Sequence, residues 1–235
     1  MHVIPVIDLK NGVVVRARFG QREAYAPIVT ALAPTSAPRD VVAGLLSVFP
    51  FPIVYAADLD AIEARGSHEE SLLELCEAFP GVAFWVDAGV RDAEQARSWL
   101  ARQRRAHLVL GSENLGDLSV LKALRGEDRV LLSLDFRGEI FLGPEGLYAA
   151  PELWPKRVIA MTLSRVGATS GPDMERIRAV VGLANHSAVF AAGGLRGPSD
   201  LATLSEAGVS GVLVASALHD GALTRDDLAA LVTSA

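Results

Sequence analysis

The chain has one cysteine, Cys76, among 235 residues. No disulfide can form within it, so the core alone must hold the fold, and a reducing cytoplasm is the expected compartment. Cys76 lies in a helical pattern with Leu72, Leu73, Leu75 and Phe79 and reads as core. Positive charge is also scarce: 22 Lys and Arg stand against 28 Asp and Glu, a net charge of −6. The one basic cluster, Arg102, Arg104 and Arg105, reads as a solvated helix end, so nucleic acid is not an expected partner. No apolar run approaches the ~18 residues that span a bilayer. The start shows neither a basic leader nor an apolar signal segment, so no membrane association is expected. The five histidines (His2, His68, His107, His186, His219) show no ligand spacing, and neither a metal nor a cofactor is expected. Mg²⁺ on the clustered aspartates is the less favoured alternative. Trp99 and Trp154, read as exposed, are too few to mark an interface.

What the chain does have is hydrophobic residues, half of the total, and 21 glycines. They are arranged as short apolar runs, each followed by a helical pattern. The first run ends in Asp8; others are expected at 53–57, 83–86, 107–110, 130–134, 157–162, 188–191 and 211–214. Near-continuous apolar strands are buried on both faces, which is the habit of parallel sheets. Eight β-then-α units in a chain near the usual ~250 residues predict a single (β/α)8 barrel over 1–235. Helices are expected from Pro38, from a capping box at Ser67-His68-Glu69-Glu70, over 92–102, from Pro172-Asp173, from Pro198 and over 224–232. Asn11-Gly12 predicts a hairpin after the first strand, and 138–148 has room for another. Residues 20–38 are aperiodic, carry three prolines, and read as a lid over the barrel mouth.

Barrel active sites lie at the C-terminal strand ends, with phosphate often held after strands seven and eight. There stand Gly193-Gly194, where backbone can approach an anion, and Ala215-Ser216, which would offer free N–H groups. A mirror site in the first half comprises Gly89, Arg91, Gly111 and Ser112, with Asp87 placed to meet a polar or cationic substrate group. The matching patterns after the two aromatic-containing strands indicate a weak half-barrel repeat. Asp8 and Asp135, at equivalent strand ends, form the natural acid/base pair for moving a proton in a phosphorylated small metabolite. Lys10 is expected beside Asp8, favouring its charged form. Thr162 is a candidate substrate hydrogen-bonder. Asp58 and Asp60 are either site groups or loop caps.

Together these segments resemble the histidine-biosynthesis barrels, a family that includes a phosphoribosyl carboxamide isomerase and the cyclase subunit of imidazole glycerol phosphate synthase. Residues 4–16 look like the isomerase's opening, Ser133-Leu134-Asp135 like its second catalytic strand, and Ala192-Gly193-Gly194 like its loop after strand seven. Thr169-Ser170-Gly171-Pro172-Asp173 is similar to the loop after strand six, which brings Gly171 to the site, and 214–219 looks like the cyclase. The resemblance implies a half-barrel duplication, Asp8 as general base, Asp135 as general acid, and a diphosphorylated ribonucleotide substrate. Asp87-Ala88-Gly89 in place of a glycine run, together with 57–62, resembles instead a divergent branch from methylotrophs and methanogens. That branch is associated with one-carbon cofactor (methanopterin or methanofuran) biosynthesis. A barrel that binds a phosphorylated ligand without converting it is the non-enzymatic alternative.

Overall fold

In a computed structural model that describes residues 1–168 and 170–233, the eight expected runs are parallel strands. They are β1 (His2–Lys10), β2 (Ile53–Asp58), β3 (Ala83–Asp87), β4 (Ala106–Gly111), β5 (Val130–Arg137), β6 (Arg157–Thr162), β7 (Ala188–Ala192) and β8 (Gly211–Val214). Each pairs with the next, and β8 returns to β1 through Val3↔Val212 and Pro5↔Val214, which closes a (β/α)8 barrel. Thr169, part of the 169–173 likeness, lies outside the described residues.

Period-two geometry explains why the strands are apolar throughout. Ile4, Tyr55, Trp85, Val109, Leu131, Ile159, Phe190 and Leu213 point into the barrel. Val3, Ile7, Val54, Phe84, Val86, Leu132 and Leu134 point outward into the layer beneath the helices. Asp8, Asp87 and Asp135 share the parity of Ile4, Trp85 and Leu131 and therefore face inward. Trp85 and Phe190 fill the barrel interior as an edge-to-face pair with centroids 4.9 Å apart.

The register carries the half-barrel repeat. Asp8 pairs with Ala57, Ala57 with Asp87, and Asp87 with Val109. In the second half Asp135 pairs with Met161, Met161 with Ala192, and Ala192 with Leu213. Asp135 thus repeats Asp8, and Ala192 repeats Asp87.

Helices Pro38–Val48, Glu69–Ala78, Ala93–Arg102, Met174–Leu183, Pro198–Glu206 and Arg225–Thr233 cover the barrel. Pro38 stands in the first turn of its helix, and Asp92 and Asp173 accept from Gln95 N and Arg176 N as caps. Two expectations need correction. Trp99 and Trp154 are buried, 2% and 3% exposed, and the Trp154 indole donates to Leu147 O at 3.0 Å. The Ser67 capping box does not form: the helix is entered through His68, whose backbone N–H donates to Asp58 Oδ2 at 2.6 Å. No helix among the described residues is long and apolar enough to cross a membrane.

Both hairpins form. Val13–Arg16 folds back on β1 across Asn11 and Gly12, both in the left-handed region (φ +51° and +81°), and Ile140–Leu142 folds back on β5. The first turn is pinned from below. Gly12 N–H donates to His68 Nε2 (2.8 Å), Asn11 N–H to Asp60 Oδ2 (2.8 Å), and His68 Nδ1 faces Asp58 Oδ1 (2.8 Å). Nε2 acting as acceptor places the ring proton on Nδ1. His68→Ala would leave the Gly12 N–H without its acceptor and take the ring N–H from Asp58, which keeps its two backbone donors, so a stability loss of about 1–3 kcal/mol is expected in urea unfolding. An unchanged midpoint would contradict this pinning.

Candidate active site

The inward aspartates open into a cavity at the C-terminal strand ends. Asp8, Asp87, Asp135, Gly193, Gly194, Ala215 and Ser216 all line it. β1 and β5 stand four strands apart in the ring of eight, so Asp8 and Asp135 face each other across the cavity.

The carboxylates differ in surroundings. Asp8 has no side-chain hydrogen bond among the described residues, and burial pushes its pKa up to about 7, with Arg22 pulling it back. Asp135 is also raised to about 7 by burial, against the pull of the Ser133 hydroxyl (2.6 Å to Oδ1) and Glu113 N–H (3.1 Å to Oδ2). Asp87 is pushed to about 8, first by burial and then by the charge of Asp135. Gly111 makes room for this pair: a Cβ there would lie 2.8 Å from Asp87 Oδ2 and 3.5 Å from Asp135 Oδ2. The two therefore titrate as a coupled pair.

A raised carboxyl pKa means that the folded chain favours the proton. That stabilisation is complete below the ordinary carboxylate range, near 3.8, and is lost as pH rises through about 8. Asp87→Asn, permanently neutral, should match the wild type in melting temperature near pH ~4 and exceed it increasingly toward pH ~9, by on the order of a few kcal/mol. A difference that stays flat across this range would refute the assignment.

The other expected residues lie elsewhere. Lys10 donates from Nζ to Arg22 O (2.6 Å); the cation acting on Asp8 is Arg22, not Lys10. Asp58 is taken up by Ala61 N–H and His68 and caps the short helix Leu59–Ile62. Thr162 is buried, with its hydroxyl 3.4 Å from Asp173 Oδ2. Gly171, with φ +85°, packs beneath the Arg196 guanidinium. Gly89 packs on Ala61 and Ile62, Arg91 is exposed, and Gly111 lies beneath the carboxylates. Ser112 is wholly buried: its hydroxyl donates to Leu142 O (2.5 Å) and accepts from Asp135 N–H (2.9 Å).

Arg22, Tyr25, Tyr55, Glu113 and Arg137 join the lining without having been singled out. Tyr55 had a signal, being of inward parity on β2. Arg22 had none: it arrives from the aperiodic 20–38 segment and pairs with Glu113, 91 residues away. That segment contributes Gly20, Arg22 and Tyr25 to the cavity wall. Gly20 packs against Leu163 O and Gly167 against Ala17 O so closely that neither position has room for a Cβ. Among the described residues no group of three or more His, Cys, Asp or Glu is arranged to hold a metal ion.

Comparison with known proteins gives this geometry a context. A family described as histidine biosynthesis protein matches residues 2–224. An uncharacterised protein of Methanocaldococcus jannaschii is 30% identical over 97% of both chains. Proteins of Deinococcus radiodurans (30% identical, 94% of both chains) and Streptococcus thermophilus (26%, 97% of this chain and 98% of the relative) are also similar. Both are named as the isomerase of 1-(5-phosphoribosyl)-5-((5-phosphoribosylamino)methylideneamino)imidazole-4-carboxamide.

Proposed function

The chain belongs to the histidine-biosynthesis protein family, and from that premise we propose that it is an acid/base isomerase, of aldose–ketose type, acting on a phosphorylated ribonucleotide or sugar-like metabolite. The observation that carries this reading is the opposition of Asp8 and Asp135, two buried carboxyls with pKa values raised to about 7, across one cavity. Near neutral pH each is available in both protonation states, which is what proton transfer in two directions requires. Asp8, with no donor holding its charge, takes the proton from the carbon next to the carbonyl or imine. The C–H electron pair moves into the enol or enamine double bond. Asp135, held in place by Ser133 and Glu113 N–H, delivers a proton to the substrate oxygen or nitrogen that needs one.

The phosphate end is assigned to the loops after β7 and β8. Gly193 and Gly194 have φ of +101° and +84°, and the Gly194 and Ser216 N–H groups have no partner among the described residues. The test is proton exchange in D2O, followed by NMR, on phosphorylated aldoses that include the carboxamide acted on by the named relatives. Deuterium entering the carbon next to the carbonyl only when Asp8 and Asp135 are both present supports the reading. No exchange on any compound defeats it and leaves a binding barrel.

A second reading, a step of one-carbon cofactor synthesis on another phosphorylated substrate, draws on Asp87 standing where the family resemblance has a glycine run. Complementation of a histidine auxotroph lacking the isomerase separates the two. Growth that depends on Asp8 favours the relatives' substrate, and no growth from expressed, folded protein favours the second reading.

A further inference from the structure

Asp87 holds the register position that Ala192 holds in the other half, and this one exchange changes what its end of the cavity can accept. After β7, the Gly194 N–H is left open toward a ligand. After β3, its counterpart Gly89 N–H donates to Asp87 Oδ1 at 3.1 Å. The hydroxyl of Ser112, the counterpart of Ser216, is consumed by Leu142 O. The first-half copy of the anion cradle is thus already filled by the protein's own carboxylate. Around it stand Asp135 and Glu113, and among the described residues the cations in the lining are Arg137 and Arg22, the latter paired with Glu113.

A second observation points to a missing ligand. Tyr55 is 3% exposed and lines the cavity, and its hydroxyl has no hydrogen-bond partner among the described residues. The charges of Asp87, Asp135 and Asp8 all act on it. The phenol oxygen opens to the cavity and is not sealed in the core, so a group entering the cavity can reach it. A phosphate would add repulsion there, whereas an ammonium would donate to Asp87 and to the phenol oxygen.

We propose that the substrate carries a single phosphate, at the Gly194–Ser216 end, and a cationic amine at the other, received by Asp87 with Tyr55 beside it. This rests on the phosphate end assigned above. It also separates the chain from its named relatives, whose substrate by its name carries two phosphoribosyl groups. A second phosphate here would meet Asp87 and Glu113.

Calorimetric titration of the full chain at pH ~8, where Asp87, raised to about 8, carries its charge in about half of the molecules and an ammonium beside it draws the rest into that form, with glucosamine 6-phosphate, glucose 6-phosphate and fructose 1,6-bisphosphate tests it. The amine should bind ~10-fold or more tightly than its hydroxyl analogue, the worth of one charge-assisted hydrogen bond, with the bisphosphate weakest. Asp87→Asn should bring amine and hydroxyl to within about twofold of each other. A bisphosphate that binds tightest, an amine with no advantage in the wild type, or an advantage untouched by Asp87→Asn overturns the proposal while leaving the isomerase reading standing. Binding of none of the three overturns it together with the phosphate end on which it rests.

Discussion

Asp8→Asn is expected to lower kcat by about 10²–10⁴-fold, the usual worth of a positioned base, with the fold intact. The substitution keeps the shape of the side chain and removes its capacity to take a proton. It does not disturb the folded state, because burial already favours the neutral form of Asp8, raised to about 7. Asparagine copies that form, so stability should match the wild type near pH ~4 and exceed it increasingly as pH rises through about 7, and phosphate-ligand affinity should stay within a few-fold. Steady-state kinetics on a compound that passes the deuterium test, with melting curves alongside, checks this. A kcat within tenfold of wild type would remove Asp8 from the chemistry.

The largest stability effect is expected at Trp85. It is 1% exposed, packs edge-to-face on Phe190, and has the Arg157 guanidinium 5.6 Å from its ring centroid. Trp85→Ala would empty the centre of the barrel, where strand backbones on every side prevent collapse into the void. A loss of about 3–5 kcal/mol follows. Guanidinium unfolding followed by circular dichroism reads it without depending on the lost fluorophore. A loss under about 1 kcal/mol would mean that neighbouring side chains refill the space.

The barrel was legible because β1 to β8 are buried on both faces, leaving runs of apolar residues that helices of this length do not show. Even the inward aspartates could be placed, since parity from Ile4, Trp85 and Leu131 carries them to the cavity. The misreadings have local causes. The Ser67 box was sound by propensity but lost to Asp58, a tertiary partner ten residues away that takes the His68 N–H. Trp99 lies on the same helix face as Ala96 and Leu100, all buried, so its burial was implied by spacing that the charged neighbours masked. Lys10 was assigned to Asp8 from strand parity, but it lies beyond the rim, where Arg22 O claims it. The Arg22–Glu113 pair had no local signature, because it exists only once the loop after β1 folds over the end of β4.

The backbone contact between 17–20 and 163–167 also has an expected consequence for rate. It joins the chain leaving β1 to the chain leaving β6, and so closes a ring around the ends of β7 and β8, where the phosphate end lies. Where ligand exchange runs through that clasp, turnover limited by its opening is expected to fall as solvent viscosity rises, and turnover independent of viscosity would remove the clasp from the kinetics.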